Sequence, residues 1–187
     1  MEQDRERWNK KYSEGKFPLE KPSELLVKYI DLAPKGRALD IAAGLGRNSL
    51  FLAEKGFKVD AIDYSDIAVQ KLKSLHPNIN PVQADLDTYR IEENQYDLII
   101  NFNYLNRRLF PQIIYGLKPD GLLIFQTFLD GEEEGLAQPS NPDFLLKKNE
   151  LLHSFLRLRV LFYKEEKVTK CDGSTSYQAS LVAKKEC

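Results

Sequence analysis

Apolar residues fall into two patterns along this chain. Ala38, Leu39 and Ile41 form a short solid run, and residues 58–62, 81–84, 96–102 and 122–128 repeat it. Runs this short and continuous predict parallel strands buried on both faces. Between them, apolar residues three and four apart predict helices. One holds Leu50, Phe51, Leu52 and Ala53, with Asn48 or Ser49 as its cap and Gly56 as its end. Another runs from a Ser65 or Asp66 cap to about Leu75, and a third spans 109–117. Residues 77–80 read as a loop and Lys118-Pro119-Asp120-Gly121 as a turn. Two β-rich runs, 158–167 and 176–183, then flank Cys171-Asp172-Gly173-Ser174, a hairpin-type turn. The expected fold class is α/β: a Rossmann-like, doubly wound, mostly parallel seven-stranded sheet with a C-terminal antiparallel hairpin.

The flanking stretches are read the same way. Residues 2–12 suit a helix with Trp8 and Tyr12 one turn apart on one face, ended by Gly15. Phe17-Pro18 and Lys21-Pro22 predict an extended crossing. Ser23 is placed to cap a helix over 24–32. Residues 129–143, rich in Gly, Glu, Pro and Asn, predict a loop, and 148–155 a short helix. The 187 residues suit one domain, with 1–35 as N-terminal lid and helices and 36–187 as the core.

Composition narrows the function classes. The net charge is −1 with Lys and Arg scattered, which speaks against a nucleic-acid surface. Two cysteines, Cys171 and Cys187, and two distant histidines, His76 and His153, give no metal spacing and no support for a zinc site or a Ser-His-Asp triad. The N-terminus is charged from its second residue and lacks a signal-peptide core. No apolar stretch approaches membrane-spanning length. The expected setting is cytoplasmic, without membrane contact, as a monomer or homodimer acting on a small molecule.

Candidate chemistry lies at the strand ends, where open parallel sheets bind ligands. After the first strand, Ala42, Ala43, Gly44, Leu45 and Gly46 form a turn with almost no side-chain bulk, leading to a helix N-terminus. Such a cradle lets a ligand approach the backbone and favours a carboxylate or phosphate. A dinucleotide site wants G-x-G-x-x-G, but the third glycine here is Ser49. The pattern Asp40-x-Ala42-x-Gly44-x-Gly46 instead approaches acid-x-G-x-G-x-G, the cradle for the methionine end of S-adenosylmethionine. Asp63 ends the second strand, about 20 residues past the first cradle glycine, where a carboxylate accepts from ribose hydroxyls. Asp85 follows the third strand and suits an exocyclic adenine amine. Asn101, Phe102, Asn103 and Tyr104 end the fourth. Each has a structural alternative: Asp63 as a helix start, Asp85 with Asp87 as a solvated turn, Asn101 to Tyr104 as strand-end polarity.

These stretches, ALDIAAGLGRNSLFLAEKGFKVDAIDYS, QADL, YDLIINF and LKPDGLLIFQTF, resemble the class I S-adenosylmethionine-dependent methyltransferases. Within that class, WNKKYSEGKFPLEKPSELL is similar to the lid segment of small tellurite-resistance-type and thiol-type members, with Trp8, Tyr12 and Phe17 as aromatic walls. The resemblance implies S-adenosylmethionine as cofactor. It implies that Asp40, Ala42, Gly44 and Gly46 hold the methionine moiety and that Arg47 binds its carboxylate. It further implies that Asp63, with Tyr64 beside it, holds the ribose, that Asp85 and Leu86 hold adenine, and that Asn101 and Phe102 flank the sulfonium. The implied acceptor is a small molecule such as a thiol or chalcogen anion, with no metal. Tyr104, Arg107 and Arg108 are the polar groups beyond the fourth strand, Tyr104 and Arg107 being the catalytic candidates. Two alternatives stay open: a nicotinamide dehydrogenase, and a non-catalytic S-adenosylmethionine-binding module or RNA or protein partner subunit.

Overall fold

The apolar runs become the parallel strands of one sheet. A computed structural model describes residues 2–15, 21–131, 133–169 and 172–187; Phe17, Pro18 and Cys171 lie outside the described residues. Seven strands are formed: β1 (Arg37–Ile41), β2 (Lys58–Asp63), β3 (Ile79–Gln83), β4 (Tyr96–Phe102), β5 (Leu117–Phe128), β6 (Arg159–Thr169) and β7 (Thr175–Lys184). Their order is β3-β2-β1-β4-β5-β7-β6. β1 to β5 pair in parallel, whereas β7 runs antiparallel to both β5 and β6. The chain steps outward from β1 to β3, then returns to lay β4 on the other side of β1. That reversal is the switch point where a doubly wound sheet opens a crevice.

The helices are α1 (Glu2–Ser13), α2 (Glu24–Tyr29), α3 (Arg47–Glu54), α4 (Asp66–Lys73), α5 (Leu109–Gly116) and α6 (Glu150–Ser154). Strand residues alternate between two buried layers because successive side chains point to opposite faces. Ala38, Val59, Leu98, Ile100 and Ile124 pack beneath Leu26 of α2, Leu52 of α3 and Leu72 of α4. Leu39, Ile41, Ile62, Ile99 and Phe125 pack beneath Phe110 and Ile113 of α5 and Leu151 of α6.

Several boundaries differ from those predicted. β3 starts at Ile79 rather than residue 81, so half of the expected 77–80 loop is strand. Pro81 is tolerated there because β3 is an edge, paired only with β2. β5 takes in the predicted turn, since Leu117 already pairs with Tyr96 before a register shift leads to Leu122↔Leu98. The helix expected over 24–32 is α-helical only to Tyr29 and tightens to a 3-10 turn over Ile30–Leu32. Neither Asn48 nor Ser49 caps α3; Gly46 does, at φ 88°, and the helix begins at Arg47. The two polar side chains turn inward instead. Asn48 Oδ1 accepts from the Ser23 backbone N–H at 2.9 Å, and Ser49 Oγ donates to Asp40 at 2.6 Å. Ser65 caps α4 as expected, its Oγ accepting from the Ala68 N–H.

Candidate active site

The carboxyl edge of the sheet is built by backbone bonds that carry each loop against the next strand. The Ala43 N–H donates to Ile62 O at 2.9 Å, Ala84 to Asp63 O at 3.1 Å, and Asn103 to Gln126 O at 2.9 Å. The loops that follow β1 to β4 are thereby held side by side.

The β1 loop places Ala42, Gly44 and Gly46 in left-handed conformation, at φ 56°, 56° and 88°. A Cβ on Gly46 would come within 2.6 Å of both Leu72 and Leu75, so this glycine lets the loop seat against α4. At Gly44 a Cβ would lie 3.1 Å from the Tyr12 hydroxyl, so the loop faces α1 with bare backbone. Beneath the loop, Asp40 is 3% exposed and bonded to Ser49, which ties β1 to the first turn of α3. Burial pushes the Asp40 carboxyl up to about 7, against the opposing pull of the Ser49 hydroxyl.

Asp63 joins the cradle to the β2 loop. Its Oδ2 accepts from the Gly44 N–H at 2.8 Å and its Oδ1 from the Ser65 N–H at 2.9 Å. Burial raises its pKa, and these backbone donors pull the other way. Tyr64, next along, lies under the Arg5 guanidinium, 5.9 Å from the ring centroid.

After β3, Asp85 starts a tight turn: its Oδ1 accepts from the Asp87 N–H, and its carbonyl from those of Thr88 and Tyr89. The β4 loop clamps this turn. Asn106 Nδ2 donates to Leu86 O and Asp87 Oδ1, and Arg108 donates to the carbonyls of Leu86 and Tyr89. Asn101 is buried and donates to Tyr104 O at 2.7 Å, fixing the loop at its own strand end.

Asp40, Ala42, Gly44, Gly46, Asp63, Tyr64, Asp85, Leu86, Asn101 and Phe102 thus share one edge at the switch point. Arg47 stands at its margin, 3.5 Å from the Lys21 carbonyl. Arg107 is directed elsewhere: its guanidinium binds both carboxylate oxygens of Glu150 and the carbonyls of Asp143 and Leu145. Tyr104 has its phenol pushed up to about 12, chiefly by burial, so it is a donor and not a base at neutral pH.

Three features lay beyond sequence reasoning. One is the Asn106 and Arg108 clamp. Another is Asn9 of α1, bonded to Ser65 and Asp66 one turn before Tyr12, the lid wall expected from the sequence. The third is an uncharged row beyond β4. Phe102 pairs with Gln126 and Gln126 with Ser180, so these side chains share the sheet face of Asp40 and Asp63. Gln126 Nε2 donates to Ser180 Oγ at 2.8 Å, with Gln178 and Ser176 buried further along β7. Polar alternation on β7 was the only signal for it. Among the described residues no group of His, Cys, Asp and Glu could hold a metal ion. No helix among them is long and apolar enough to cross a membrane.

A sheet of this order, with a bare first loop and acids closing β2 and β3, defines a class I methyltransferase-type α/β fold. Comparison with known proteins makes the assignment specific. Residues 38–121 match the methyltransferase domain family. YqeM of Bacillus subtilis is 36% identical over 121 residues, covering 57% of this chain and 49% of YqeM. TehB of Haemophilus influenzae is 34% identical over 89 residues, covering 44% of this chain and 31% of TehB. The crystal structure of that TehB superposes with a TM-score of 0.72 at 21% identity, over 87% of this chain and 62% of TehB. Residues 38–121 thus match a methyltransferase domain, and the chain is similar to TehB in sequence over 89 residues and in fold. It spans less than half the length of these two curated relatives.

Proposed function

We propose that this protein binds S-adenosylmethionine and transfers its methyl group to a small acceptor of the thiol or reduced-chalcogen class. The observation that carries the reading is the Asp63–Gly44 contact, which sets a buried carboxylate directly beside a side-chain-free loop. An adenosyl amino acid needs backbone donors at one end, a ribose acceptor in the middle and an adenine partner at the other. The cradle of Ala42, Gly44 and Gly46 supports the first need, Asp63 the second, and the clamped Asp85–Leu86 turn the third. Asp40 acts from below, holding the cradle to α3 through Ser49. Phe102 and Asn101 close the β4 side.

When bound, S-adenosylmethionine supplies a methyl on a sulfonium, whose displacement by an acceptor leaves a neutral thioether. The chain's contribution is alignment and exclusion of water. Three groups at this edge do not suit a general base: Tyr104 stays protonated, and Asp40 and Asp63 are engaged in the cradle. A soft nucleophile needs no base, which supports a thiol or chalcogen acceptor over an alcohol or amine. Gln126, Ser180 and Phe102 offer it an uncharged surface. The methyltransferase names of the relatives support methyl transfer and name no acceptor.

Calorimetry tests the cofactor. Wild-type protein is expected to bind S-adenosylmethionine, and Asp63→Ala to bind it at least tenfold more weakly while remaining folded by circular dichroism. Equal affinity in the two proteins, or stabilisation by NADH alone, overturns the assignment. Labelled-methyl transfer tests the acceptor, with small thiols and selenide expected to take label and primary amines not.

A further inference from the structure

α1 completes the cofactor site from outside the sheet. Arg5, Asn9 and Tyr12 recur at helical spacing, so they share one face. Each meets the loop edge. Arg5 lies over Tyr64. Asn9 Oδ1 accepts from Ser65 Oγ at 2.5 Å, and its Nδ2 donates to Asp66 Oδ2 at 3.2 Å. Asn9 is therefore joined to the cap of α4, the same cap whose first backbone N–H holds Asp63. One turn on, the Tyr12 hydroxyl stands over Gly44, with Trp8 stacked on its ring at 5.6 Å.

The cradle beneath that hydroxyl has an electrostatic problem. It is lined by two buried acids, Asp40 and Asp63. A ligand carboxylate laid on Gly44 is repelled by the Asp63 charge unless a donor faces it from the opposite side. The sheet edge offers Arg47 at its margin. α1 offers a phenol at the centre. Burial and the Asp63 charge raise the Tyr12 pKa, which keeps the hydroxyl protonated as a donor.

We propose that Tyr12 is a cofactor-binding residue whose hydroxyl donates to the amino-acid end of S-adenosylmethionine on Gly44, with Asn9 docking α1 to hold it there. This rests on the function proposed above and adds a wall that the strand-end residues do not provide.

Calorimetry with two ligands tests it, on the full chain. S-adenosylhomocysteine carries the amino-acid end; adenosine lacks it. Tyr12→Phe is expected to weaken S-adenosylhomocysteine about tenfold, as for a hydrogen bond to a charged group, and to leave adenosine affinity and Tm unchanged. Asn9→Ala is expected to weaken S-adenosylhomocysteine with Tyr12 intact. Wild-type affinity in Tyr12→Phe overturns the proposal, as does an equal loss for both ligands, which would make Tyr12 a packing residue only. If the wild type binds neither ligand, the function itself fails, and the Tyr12 role with it.

Discussion

Ala42 shows how closely single residues are constrained in this loop. Its φ of 56° is left-handed, a conformation that costs an L side chain roughly 1–2 kcal/mol. Ala42→Gly relieves that strain, at about 0.4–1 kcal/mol of added unfolded-state freedom. The expected result in urea denaturation is unchanged or slightly higher stability, where Ala→Gly ordinarily destabilises. Asp40 gives a pH signature. Its carboxyl moves from an ordinary 3.8 to about 7 through burial, so the fold favours the protonated form. The native state then holds more protons than the unfolded chain between those values, and stability falls as pH rises from about 4 to 7. Asp40→Asn removes this slope: its unfolding free energy is expected to exceed that of wild type at pH 8 by an amount on the order of a few kcal/mol, and to converge with it near pH 4. The cradle residues and Asp63 were legible in the sequence because their spacing is local to one strand–turn–helix unit. Asn48 and Ser49 were misread as caps because cap propensity does not reveal that Gly46, one of few residues at ease at φ 88°, already ends the turn.

At the scale of elements, the loops after β3 and β4 work as a pair, and the segment before α6 is fastened to them. Arg107 is that fastener, through Glu150 and two carbonyls. Its side chain is 40% exposed, so solvent screening holds its contribution to about 1–2 kcal/mol. Arg107→Ala is expected to lower Tm by a few degrees and to speed proteolysis within residues 130–149, with S-adenosylhomocysteine affinity unchanged. Loss of ligand affinity without faster proteolysis would instead turn Arg107 toward the crevice. β4 was readable to the residue because Leu98, Ile99 and Ile100 are fully buried on both faces. β3 was not, because an edge strand carries a weaker apolar signal and tolerates Pro81.

Over the whole molecule, the switch point between β1 and β4 decides where chemistry can occur. It gathers a bare loop, two acids, a clamped turn and one face of α1 on a single edge. The sequence by itself determined the alternation of strand and helix, because short continuous apolar runs are stable only inside a covered sheet. It also determined the cradle, whose residues are neighbours in the chain. Only the tertiary structure decided which polar side chains meet. Gly44 and Asp63 are 19 positions apart, Gln126 and Ser180 54, and Asn9 and Asp66 57. Local periodicity sets which face a side chain takes, but its partner across such a span depends on strand order and on how α1 folds back, and neither is written in any short stretch.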